Sequence, residues 1–72
     1  LKPEDTRFVN ARGVSLLSLG ETDKALADFK KALELDPNNE QAHRNRVLAL
    51  VEEGRYDEAL AALKEWLEAA PD

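Results

Sequence analysis

Three features of the sequence predict an all-α fold of four helices paired as antiparallel hairpins. Pro3, Pro37 and Pro71 recur at one fixed spacing of 34 residues, and much of the chain between them repeats at that offset. Apolar residues recur at helical spacing, with no alternating pattern that would suit a strand. Gly20 and Gly54, themselves related by the same offset, punctuate the helical stretches where a hairpin would turn. A fixed period of this length marks a stacked-repeat protein, in which one supersecondary unit buries its face against the next.

The first helix is expected from about Asp5 to Leu19. Val9, Gly13 and Leu16 share one face there, while Val14 and Leu17 lie toward another. Gly20 suits the left-handed residue that ends a helix. A second helix runs from about Thr22 to Leu35, with Ala25, Leu26, Phe29, Ala32 and Leu33 as its apolar stripe and Lys24, Asp28 and Lys31 opposite. Pro37 stops it, since its ring clashes with the preceding turn and it has no N–H.

Asn38 is expected to cap a third helix, with Gln41 three residues on, that ends near Glu53 before Gly54. A fourth, from about Tyr56 to Ala69, is expected to bury Ala59, Leu60, Leu63 and Leu67. Short connections make the neighbours antiparallel. Leu1-Lys2-Pro3 falls in register with Leu35-Asp36-Pro37, so residues 1–3 read as the tail of a preceding repeat or helix, in a fragment of a larger protein.

The offset extends to Asp23/Asp57, Ala25-Leu26-Ala27/Ala59-Leu60-Ala61, Arg12/Arg46, Leu16/Leu50 and Leu33/Leu67. The order and spacing resemble the tetratricopeptide repeat, whose pattern is W-x₂-L-G-x₂-Y, then A-x₃-F, then P within 34 residues. The first unit (about 6–39) carries Val9, Arg12, Gly13, Leu16, Ala25, Phe29, Ala32 and Pro37. The second (about 40–72) carries His43, Arg46, Val47, Leu50, Ala59, Leu63, Trp66 and Pro71. The resemblance implies a single domain over 1–72, built as a short right-handed α-solenoid.

Departures from the pattern matter. Gly13 and Ala25 are small where helices cross, whereas Val47 replaces the crossing glycine and predicts a slightly splayed second hairpin. Arg12 and Arg46 replace a leucine. Each reads either as a half-buried stem reaching for water or as a partner contact. Trp66 stands where the first unit has Ala32, either covering the end of the array or forming an exposed end-face anchor.

The resemblance also implies a protein–protein interaction module, in which the first helix of each unit lines a concave groove for a peptide or partner helix. The lining would be Arg7, Asn10, Val14, Leu17 and Ser18, with Gln41, Arg44, Leu48, Val51 and Glu52. Arg7 and Arg44 are candidates to receive a carboxylate, although Glu40 lies four residues before Arg44 and offers it a surface pair. Some members grip a terminal carboxylate with a Lys/Asn set. Only Asn45 falls at a matching place, so that mode is not expected.

The 72 residues carry a formal charge of −5, which disfavours nucleic acid and anionic membrane surfaces. There is no cysteine and a single histidine, His43, read as a packing residue. No nucleophile–base pair, metal cluster or phosphate loop is present, so neither enzyme activity nor a cofactor is expected. No run of about 18 apolar residues offers a membrane span, so a soluble domain of unknown compartment is expected. Two units without a capping helix predict marginal stability or weak self-association through the C-terminal end. A structural spacer in a longer array is the alternative function.

Overall fold

The structure, a computed structural model, describes residues 5–69. The register of residues 1–3 and the role of Pro71 lie outside them. Four helices follow one another: α1 (Thr6–Ser18), α2 (Thr22–Leu35), α3 (Glu40–Glu52) and α4 (Tyr56–Ala69).

Each hairpin closes in the same way. Gly20 and Gly54 adopt φ of +80° and +73°, a conformation in which a Cβ would be strained. Their N–H groups donate to the Leu17 and Val51 carbonyls at 3.0 Å. The next residues, Glu21 and Arg55, donate to Leu16 and Leu50 at 2.9 Å. These paired bonds satisfy the last carbonyls of α1 and α3 and fix both turns identically.

The helix starts differ. Asp5 caps α1, its Oδ1 accepting from the Arg7 backbone N–H at 2.8 Å. Asn39, not Asn38, caps α3: its side-chain oxygen accepts from the Ala42 N–H at 2.8 Å. The Asn38 N–H is turned back onto Asp36 Oδ1 at 3.2 Å, which holds Asn38 in the turn and passes the cap to the next residue.

Gly13 is buried against Phe29. A Cβ built on Gly13 would stand 2.5 Å from Phe29 Cε1, so the ring occupies the space that a side chain would need. Phe29, fully buried with Ala25 and Ala49, joins the two hairpins. Burying a ring of that size stabilises by roughly 1.5–3 kcal/mol. In the second hairpin the same two positions are Val47 and Leu63. Val47 fills the core from α3, and α3 and α4 approach less closely than α1 and α2.

The helices stand in an open row. α1 pairs with α2, α3 packs on α2 and touches α1, and α4 packs on α3; among the described residues no Cα atoms of α1 and α4 come within 8 Å. This is no closed four-helix ring.

The expected α4 stripe needs correction. Ala59 is buried, joined by Ala62, but Leu60, Leu63 and Leu67 are 65%, 38% and 77% exposed. Their first-unit equivalents, Leu26, Phe29 and Leu33, are covered by the second hairpin, and no such neighbour lies on α4 among the described residues. Asp28 is corrected too: it is buried in the hairpin rather than on the polar face of α2.

Candidate partner-binding face

Helical spacing places Val14 and Leu17 on α1 and their 34-residue counterparts Leu48 and Val51 on α3. Val14, Leu48 and Val51 are exposed, although each is a branched aliphatic residue that burial would favour. Leu17 is half-buried against the Ala25–Phe29–Ala49 cluster. Arg7, Gln41, Arg44, Ser18 and Glu52 are exposed on the same two helices.

Asn10 does not belong to an open lining. It is only 1% exposed, and its Nδ2 donates to Asn39 Oδ1 at 3.2 Å. The same oxygen caps α3. Asn10 therefore ties the middle of α1 to the start of α3 across the two units, where sequence reasoning places it facing a ligand. The signal was available in kind: a polar residue one position from the buried Val9 lies at the edge of the apolar stripe, not opposite it.

The two cationic candidates separate. Arg7 is occupied, with its Nε and Nη2 donating to Asp5 Oδ1 and Oδ2 at 3.1 and 2.8 Å. These bonds pull the Asp5 carboxyl down to about 2 and raise the Arg7 guanidinium. Among the described residues Arg44 has no carboxylate within 4 Å, Glu40 included.

Arg12 and Arg46 reach instead across their own hairpins. Arg12 donates two bonds to Asp28, and Arg46 pairs with Glu65. The residue at the Asp28 position in the second unit is Ala62, part of the core, so the acid that meets Arg46 lies one turn further along α4. Arg12 is also placed over the Phe8 ring, 5.4 Å from its centroid. Neither arginine contacts the α1/α3 face in this arrangement.

Trp66 is half-buried on the Val47–Leu50–Ala59–Ala62 cluster and stacks on His43, with ring centroids 5.7 Å apart and planes 4° from parallel. His43 is buried, and its Nε2 is 2.9 Å from the Pro37 carbonyl oxygen. The exposed apolar part of that end is therefore the leucine stripe of α4.

A cleft of about 420 Å³ opens between α2 and α4, lined by residues that include Asp23, Leu26, Lys30, Arg46, Arg55 and Glu58. Its cations are largely spent: Arg55 donates to Asp23 at 2.8 Å and to Glu58 at 2.9 and 2.7 Å. Among the described residues no cluster of three or more His, Cys, Asp or Glu could hold a metal ion. No helix among them is long and apolar enough to cross a membrane.

An open row of repeat-related hairpins with an exposed aliphatic face on the first helix of each is a helical-repeat interaction scaffold. The chain belongs to the tetratricopeptide repeat family, whose model matches residues 3–72. Members of this family generally mediate protein–protein interaction and are generally non-catalytic.

The poly-β-1,6-N-acetyl-D-glucosamine export protein of Escherichia coli is 37% identical over 62 residues, covering 86% of this chain and 8% of that protein. The small glutamine-rich tetratricopeptide repeat-containing protein 2 of Mycosarcoma maydis is 31% identical over 71 residues, covering 99% and 20%. The solved structure of a MamA mutant is similar with a TM-score of 0.83 and 34% identity, over 97% of this chain and 51% of that one. The chain thus spans about half of the MamA chain and a fifth or less of the two relatives.

Proposed function

We propose that the chain binds an extended peptide or a partner helix along α1 and α3, without catalysis. The observation that supports this is the pairing of Val14 with Leu48, and of Leu17 with Val51. Aliphatic residues recur at the same two places one repeat apart on the two first helices, and three of the four are exposed. Exposed apolar residues grouped on one surface mark interaction sites. Arg44, with no acid partner among the described residues, offers a charge-assisted bond to a carboxylate on the ligand. Asn10 and Arg7, already committed to Asn39 and Asp5, act in shaping the face rather than in contacting the ligand.

Selection of peptides against the immobilised chain, followed by Kd measurement with Leu48→Glu, tests this reading. A charge in place of Leu48 is expected to weaken binding about tenfold or more, since burying it unpaired is costly. Unchanged affinity, with a fold intact by circular dichroism, sinks it. A second reading, a spacer within a longer array, draws its support from the uncovered leucines of α4.

A further inference from the structure

We propose that the groove between α2 and α4 takes an extended segment of a partner protein patterned apolar–x–acid–x–apolar, with the acid held by Lys30 and Arg46. The site stands apart from the α1/α3 face and does not rest on the reading of that face. The second hairpin keeps an arginine and lacks its acid. In the first hairpin, Arg12 turns its Nε–Nη2 edge onto Asp28. The counterpart of Asp28 is Ala62, buried in the core. Arg46 donates instead through Nη1 to Glu65, whose side chain is 56% exposed. Its Nε–Nη2 edge, the one that grips the acid in the first hairpin, carries no bond to an acid among the described residues. A guanidinium with five N–H donors and one exposed partner has capacity for a second carboxylate.

Arg46 and Lys30 form the waist of the groove. Both line the cleft of about 420 Å³ toward the turns and a second cleft of about 280 Å³ toward Pro37. Lys30 is exposed and has no carboxylate within 4 Å among the described residues. Either side of the waist the lining turns apolar. Leu26, Leu50 and Ala61 line the first cleft, and Leu33, Pro37 and Ala69 the second. Acids stand beyond: Asp23 and Glu58 hold Arg55 at the turn end, and Glu34 borders the second cleft. A ligand with a run of acids would meet like charge at both ends. A single carboxylate at the waist meets two cations.

Spacing selects an extended chain. Leu26, Lys30 and Leu33 succeed one another along α2 at about one helical turn, roughly 4.5–6 Å of axial rise. Alternate side chains of an extended segment share a face at about 6–7 Å. Residues i, i+2 and i+4 of such a segment therefore reach the first cleft, the waist and the second cleft in turn.

The test is an amide-shift titration of the chain with the peptide acetyl-Ser-Leu-Ser-Glu-Ser-Leu-Ser-amide. Saturable shifts are expected at Ala27, Lys30, Arg46 and Ala61. Lys30→Glu, a change at an exposed site with the fold checked by circular dichroism, should weaken binding about tenfold, and Gln in place of the peptide's Glu should do the same. A peptide with Lys at its centre should bind the Lys30→Glu chain more tightly than the parent chain. Shifts confined to α1 and α3 overturn the proposal, as do equal affinities for the Glu and Gln peptides or no saturable shift up to millimolar peptide. Sodium acetate that matches the peptide's affinity at the same residues also overturns it, since an anion alone would then be recognised.

Discussion

Arg12 grips Asp28 from the neighbouring helix through two parallel bonds, Nε to Oδ2 at 2.8 Å and Nη2 to Oδ1 at 2.7 Å. The carboxylate is buried and the guanidinium about half exposed, and the contact raises the arginine's own affinity for its proton. The paired geometry makes this the strong form of ion pair. Its repeat counterpart, Arg46 with Glu65, has an exposed acid.

Asp28→Ala is therefore expected to cost roughly 1–3 kcal/mol, discounted from the value of a fully buried pair because water reaches Arg12. Glu65→Ala should cost at most about 1 kcal/mol. Urea denaturation of both variants decides the matter: equal losses would show that burial of Asp28 contributes nothing.

Gly13→Ala places a methyl group against the Phe29 ring and should destabilise by about 1–3 kcal/mol. Phe29→Leu in the same chain should recover part of that loss, because Val47 and Leu63 occupy the same two positions in the second hairpin. A double variant less stable than the sum of its single changes would contradict the steric origin.

His43→Ala removes the ring on which Trp66 lies. The single tryptophan should then emit at longer wavelength, and stability should fall by at least the ~0.5–1.5 kcal/mol of an aromatic pair. An unchanged emission maximum would mean that the cluster beneath, not the histidine, shields the indole.

Asp5 has its carboxyl lowered from 3.8 to about 2, first by the side-chain bonds from Arg7 and then by the Arg7 backbone N–H. A depressed folded-state value means that the ionised carboxylate stabilises the fold. That contribution is complete above about pH 4 and lost as pH falls through 2. Asp5→Asn keeps a cap but cannot hold Arg7 in this way, so the stability gap between parent and variant should close on acidification from pH 5 to pH 2. A gap independent of pH contradicts the assignment.

Helix number, order and ends were legible in the sequence because periodicity and the two glycines report local geometry. The cap of α3 was misplaced by one residue, since Asn38 and Asn39 are equally good caps and only the turn onto Asp36 separates them. Leu60, Leu63 and Leu67 carry the same pattern as Leu26, Phe29 and Leu33; periodicity shows that a stripe exists but not that a neighbour covers it. Asp28 reads as a solvated acid until Arg12, sixteen residues away, is seen across the hairpin. Asn10 likewise reads as outward-facing because its partner, Asn39, lies 29 residues away at the start of α3. Contacts between residues distant in sequence are the part that local pattern cannot supply.

The direct test of an α1/α3 binding face is paramagnetic relaxation by a spin-labelled, selected peptide. Selective broadening of Val14, Leu48 and Val51 methyl signals, with the α4 leucines untouched, is the predicted result. Broadening confined to α2 and α4 would contradict it.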